Sequence, residues 1–151
     1  MNILIRIFVL AICISLFACG NNEGKSPEAV KADSLFRDVM DGHDIGMAKM
    51  GRLTRAEQTA RRLLDSIQKL PAKARQAAEP LRVKLDSLQK DLSYAEFAMN
   101  KWMNEFNIDS AVGNVKQRIE YLESEKIKVE KVREAIVGGI AKADSLLRDK
   151  F

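Results

Sequence analysis

Leu81, Leu85, Leu88, Leu92, Ala95, Met99, Trp102 and Phe106 are separated by alternating steps of four and three residues. That spacing returns every one of these side chains to one narrow face of an α-helix, and a strand cannot present it on one side. Sustained over about three and a half heptads, it commits the segment to a helix buried along one seam.

The segments on either side obey the same rule. Ser26-Pro27-Glu28 reads as a helix start, with a serine cap, proline at the first helical position and an acid at the positive dipole end. From there Phe36, Met40, His43, Met47, Met50, Leu53, Ala56, Ala60, Leu63, Ile67 and Leu70 recur at threes and fours, and Pro71 ends the run. Asn107-Ile108-Asp109-Ser110 supplies a turn and a cap. Val112, Val115, Ile119, Leu122, Val129, Val132, Ile136, Ile140, Ala143 and Leu147 then form a third stripe, which Gly138-Gly139 weakens near its end. Pro80 either opens the second helix or kinks one that begins near Ala72, and the helix-forming run from Ala72 to Glu79 favours the kink. The chain therefore reads as all-α: an elongated antiparallel three-helix bundle, coiled-coil-like, over residues 26–151, with helices at about 27–70, 72–106 and 110–149. Such helices are each roughly 50–65 Å long. A longer coiled coil completed by homo-oligomerisation is the alternative.

The first 25 residues follow a different logic. One charge (Arg6), an apolar run from Ile7 to Phe17 and small Ala18 before Cys19 give the order of a secretory signal over residues 1–18. The run is roughly half the ~20 residues that a spanning helix needs. Leu16-Phe17-Ala18-Cys19 resembles the bacterial lipobox, which implies diacylglycerol on the Cys19 sulfur and cleavage ahead of it. Each buried CH₂ of such an anchor contributes about 0.8 kcal/mol. Residues 19–25 then form the lipidated cysteine and a polar tether. Cys13 lies within the signal, so the mature chain keeps Cys19 alone, with no intramolecular disulfide and no cysteine-based zinc site. Gly20 rather than aspartate after the cysteine implies, by likeness to other lipoproteins, the outer membrane, and the sparse acidity of the tether favours its periplasmic face.

Folding back near Pro71 sets residues whose numbers sum to about 143 at one level. Met40, His43 and Met47 then meet Met99, Trp102 and Met103, at the end of the bundle nearest the anchor and beside Val112 and Val115. Thioethers and one imidazole suit Cu(I) or Ag(I), so Met40, His43, Met47, Met99 and Met103 are candidate soft-metal ligands. The same residues equally make a methionine-rich core around an aromatic, and this is the favoured reading. Gly42 and Gly46 share a helix face, and each costs about 1 kcal/mol against alanine, an expense that close helix approach or a local bend would offset.

Charge is uneven. Between Lys49 and Lys84 ten basic residues face three acidic ones. Arg52, Arg55, Arg61, Arg62, Lys69, Lys73 and Arg75 thus form a basic patch around the first turn, suited to an anionic partner such as the cell-wall polymer or an acidic protein, or simply solvated. Nucleic acid is not expected in that compartment. Catalysis is not expected either. His43-Asp44 lacks the further histidines that metal-dependent phosphohydrolases use, and no serine has a nucleophile-elbow context, nor is there a glycine-rich phosphate loop.

Three groups of residues carry a resemblance: Val39-Met40-x-x-His43-Asp44-x-x-Met47-x-Lys49-Met50; Ala98-Met99-x-x-Trp102-Met103-x-x-Phe106; and Tyr121-Leu122-Glu123 with Lys126, Val129 and Val132. They resemble a family of small Bacteroidota lipoproteins often labelled "viral A-type inclusion protein", a label that reflects coiled-coil similarity. The resemblance implies an envelope location and a helical fold, and leaves the activity open. It would place bulkier residues where this chain has Gly42 and Gly46.

Overall fold

A computed structural model describes residues 24–148, all of whose regular elements are helices. The signal segment, Cys19 and most of the tether lie outside the described residues, as do the last three positions. Among the described residues four helices are formed: α1 (Pro27–Gln68), α2 (Ala72–Ala77), α3 (Glu79–Glu105) and α4 (Val115–Leu147).

The start of α1 is the one the sequence implies. Ser26 Oγ accepts from the Ala29 amide at 3.2 Å, Pro27 stands in the first turn and Glu28 meets the dipole. The helix runs unbroken for 42 residues, about 63 Å at 1.5 Å per residue. Lys69 and Leu70 then tighten onto the carbonyls of Ser66 and Ile67, and Pro71 turns extended (φ −56°, ψ 151°). Leu70, expected on the stripe, is thrown outward by this turn and is exposed.

The second segment divides in two, so four helices stand where three were expected. Pro80 has no N–H for the Gln76 carbonyl and its ring crowds that oxygen, so regular helix stops at Ala77. Ala78 keeps a near-helical conformation (φ −84°, ψ −3°), its carbonyl accepts from Arg82, and α3 begins at once.

The third helix starts later than Ser110. Asn107 Oδ1 accepts from the Asp109 amide at 3.0 Å, an Asx turn, and Ala111 takes a left-handed φ of 56°. Arg118 holds the loop by donating to the carbonyls of Ile108 and Ser110, both at 2.7 Å. Asn114 is the cap, accepting from the Gln117 amide at 3.2 Å. Val112 and Val115 consequently lie outside the core, and both are exposed.

Packing follows from the register. Gly46 lies beside Met99 and Glu57 bonds Ser93, while Leu92 lies beside Gly139 and Trp102 bonds Glu125; in each pair one number rises as the other falls, so α3 runs antiparallel to both α1 and α4. Lys31–Glu123, Asp38–Lys126 and Arg52–Asp144 pair α1 with α4 in rising order, so these two are parallel. The core face of α3 is the one its heptads define: Leu85, Leu88, Leu92, Ala95, Met99 and Trp102 are buried. The α4 stripe also holds from Leu122 to Leu147, with Glu125 and Gly139 added to it.

On α1 the expected stripe holds in the second half, where Leu53, Ala60 and Ile67 are buried, and is turned in the first. Ala32, Val39, Gly42, Gly46, Leu53, Glu57, Ala60 and Ile67 face inward, while Met40 and His43 are half-buried and Met47 is exposed. Large side chains mark one line along α1 there, whereas the helix meets its neighbours along the adjacent line, which holds Gly42 and Gly46. A Cβ on Gly42 would stand 3.0 Å from Val129 Cγ1, and one on Gly46 2.5 Å from Met99 Cε. The two glycines leave the space that the Val129 and Met99 side chains fill. Gly51 and Gly138, by contrast, are exposed and have room for a methyl group.

Candidate functional site

The level of α1 around His43 is where the chain concentrates its unusual side chains. His43 packs its ring 5.6 Å from that of Trp102, which stacks on Phe106 at 4.8 Å, which in turn faces Tyr121 at 6.1 Å. His43 Nδ1 is 2.8 Å from Asp44 Oδ1, a carboxylate on the solvent side. Trp102 Nε1 donates to Glu125 Oε2 at 3.0 Å, and Lys128 donates to the other oxygen of Glu125 at 2.7 Å. Glu125 is 4% exposed, so α4 contributes a buried carboxylate that an indole and an ammonium satisfy together. The bond to Glu125 holds the Lys128 ammonium above the ordinary lysine range.

The five candidate sulfur and nitrogen ligands are divided by this arrangement. Met99 is fully buried beneath Gly46 and touches the core, and Met40 and His43 are half-buried. Met47 and Met103 stand at the surface, 39% and 37% exposed. The level is the middle of α1 and not the end near residue 27. The α4 residues found there are Glu125, Val129 and Ile136, with Val112 and Val115 displaced into and beyond the loop. Among the described residues no group of three or more His, Cys, Asp or Glu side chains converges as a metal site.

The basic patch is divided too. Arg61 donates to Glu57 and Arg62 to the Thr59 hydroxyl within α1, and Arg75 donates to the Gln68 carbonyl across the first turn. Arg52 crosses to Asp144 of α4 at 2.7 Å. Arg55, Lys69 and Lys73 are exposed. Lys69 and Lys73 flank the turn, whereas Arg52 and Arg55 sit against the last turn of α4.

Two carboxylates are buried against expectation: Glu57, and Glu125, whose i,i+3 spacing to Lys128 implies an outer-face pair; the pair forms, but with Glu125 buried. Glu57 accepts from Ser93 Oγ of α3 at 2.5 Å and from Arg61 at 2.6 Å, tying α1 to α3 much as Glu125 ties α4 to α3. Burial alone would push the Glu57 carboxyl up, but the bonds from Ser93 and Arg61 outweigh it and hold the group below the usual glutamate range. The signal was present in the spacing: Glu57 lies four after Leu53 and three before Ala60, and Glu125 fills the gap from Leu122 to Val129. Tyr94 and Phe97 were missed for the opposite reason. They lie off the heptad seam and stand 63% and 61% exposed on α3.

Because its folded-state pKa is depressed, Glu57 contributes stability that is complete above its unfolded pKa and is lost as pH falls through the folded value. Asp33, held low by Lys25, and Glu79, held low by Arg82, act in the same direction at the surface, where salt screens them. In high salt the acid limb of the stability curve, below about pH 5, should therefore be steeper in the wild type than in Glu57→Gln. Denaturant midpoints measured across that range check this; parallel curves would exclude a stabilising ionised Glu57.

In comparisons with known proteins, no family model, no curated protein and no solved structure matches the chain. No helix among the described residues is long and apolar enough to cross a membrane.

Proposed function

We propose that the protein is a lipid-anchored envelope lipoprotein whose helical region serves as a scaffold or interaction module and not as an enzyme. The observation that carries this reading is the sequence Leu16-Phe17-Ala18-Cys19 at the end of a short apolar run, followed by a polar tether and then by Ser26, the cap of α1. On this reading residues 1–18 are removed, diacylglycerol on Cys19 holds the chain at the periplasmic face of the outer membrane, and the helices extend from it. The helical region is best described as an elongated antiparallel three-helix bundle, with α2 as a separated first turn of the second helix. Its inter-helix hydrogen bonds at Glu57 and Glu125 support a rigid rod, as a spacer or docking platform requires. The resemblance to Bacteroidota lipoproteins agrees with it.

Packing is the better account of the Met40–Met103 group. Its sulfurs are split between core and surface, and His43 already has Asp44 at one ring nitrogen and Trp102 against its face. The anchor is tested by cell fractionation. Cys19→Ser should move the protein from the membrane to the soluble fraction. Unchanged membrane association would defeat the anchor.

A further inference from the structure

The structure brings Arg148 to two arginines from which the sequence keeps it far apart. Arg52 and Arg55 lie one helical turn apart on α1, and Arg148 reaches the same groove from the end of α4. The groove is shallow and open to solvent, with a volume of about 510 Å³. We propose that it binds a phosphate group borne on an apolar or partly apolar molecule.

The charge arrangement points to that ligand. Asp144 is the one carboxylate in the lining, and Arg52 neutralises it at 2.7 Å. Among the described residues Arg55 and Arg148 have no ion-pair partner, so two guanidiniums from different helices remain to face an anion. Thr59 adds a hydroxyl. Its oxygen already accepts from Arg62 at 2.9 Å, which leaves its own hydrogen to donate into the groove. Two planar forks and one hydroxyl match the several oxygens of a tetrahedral phosphate better than the two of a carboxylate, and guanidinium is the donor best suited to phosphate. Ala56, Ala143 and Leu147 form an apolar floor, which suits the hydrocarbon or sugar next to a phosphate ester. Lys69 and Lys73, at the turn, are no part of this site.

Phosphate esters occur both as lipid head groups and as free solutes, and one titration separates them. The full-length chain in a non-ionic detergent is titrated calorimetrically with phenyl phosphate, a soluble ester with an apolar group, and with dihexanoyl phosphatidylglycerol. Dihexanoyl phosphatidylcholine serves as the zwitterionic control. Saturable binding is expected for at least one of the two anions, falling steeply with salt. Arg55→Gln combined with Arg148→Gln should weaken it at least about tenfold, a loss of one charge-assisted contact or more. Both positions are exposed, and the far-UV spectrum of the variant should match the wild type. Tighter binding of the phosphatidylglycerol assigns the site to lipid, and tighter binding of phenyl phosphate to a soluble phosphate ester. Lys69→Gln with Lys73→Gln should leave the affinity unchanged. Equal losses in the two double variants would reduce the site to general surface charge. That result, or no saturable binding of either anion, overturns the proposal. The outcome does not depend on lipid at Cys19, so it is separable from the anchor.

Discussion

Replacing Trp102 by alanine should destabilise the helical region by about 3–5 kcal/mol, the range for removing a large buried aromatic. Trp102 is 5% exposed, stacks on Phe106, meets the His43 ring and gives Glu125 its indole hydrogen. All three helices at that level therefore lose contacts together. Glu125 would keep Lys128 but lose its buried donor, and a buried acceptor left short costs about 1–3 kcal/mol. Trp102→Phe isolates that part, because a ring still fills the stack but cannot donate. Denaturant unfolding followed by far-UV circular dichroism should place Trp102→Phe between the wild type and Trp102→Ala. A Trp102→Ala variant within about 1 kcal/mol of the wild type would mean that this aromatic level does not hold the helices together.

The second large effect is expected at Gly46. A leucine there must fit where the first added atom already stands 2.5 Å from Met99 Cε and 3.4 Å from Ile136 Cδ1. Overpacking of this kind costs about 1–3 kcal/mol, and the fully buried setting places Gly46→Leu near the top of that range. Gly46→Ala should be milder, because the terminal methyl of Met99 can swing away and alanine regains about 1 kcal/mol of helix propensity. Combining Gly46→Leu with Met99→Ala should recover part of the loss, since the two side chains compete for one space. Gly138 supplies the control: nothing lies within 4 Å of a methyl added there, and Gly138→Ala should stabilise by about 0.5–1 kcal/mol. If Gly46→Leu proved neutral, α1 could not approach its neighbours along its glycine line.

These two sites also show where sequence was sufficient and where it was not. The seam of α3 was legible residue by residue because its heptads are regular and a single narrow face is buried. The start of α1 was legible because Ser26-Pro27-Glu28 is local chemistry. The buried face of α1 was legible from Leu53 onward and not before it. That helix meets two neighbours and approaches them through Gly42 and Gly46, whereas hydrophobicity draws the eye to Met40, His43 and Met47 on the adjacent line. The start of α4 was misplaced because an Asx turn and the left-handed Ala111 extend the loop to Asn114, a competition among several polar caps that periodicity does not resolve. Glu57 and Glu125 lay on the seams in plain view, but a charged residue reads as surface until its partners on another helix are known. Arg148 belongs with Arg52 and Arg55 only because α1 and α4 run parallel.

The account rests most heavily on what happens at Cys19. Intact-mass measurement of the protein extracted from membranes tests it most directly. The account predicts a chain that begins at Cys19, lacks residues 1–18 and carries the added mass of diacylglycerol on that cysteine. A chain that retains Met1, or one that begins at Cys19 with its thiol and amine unmodified, would contradict it.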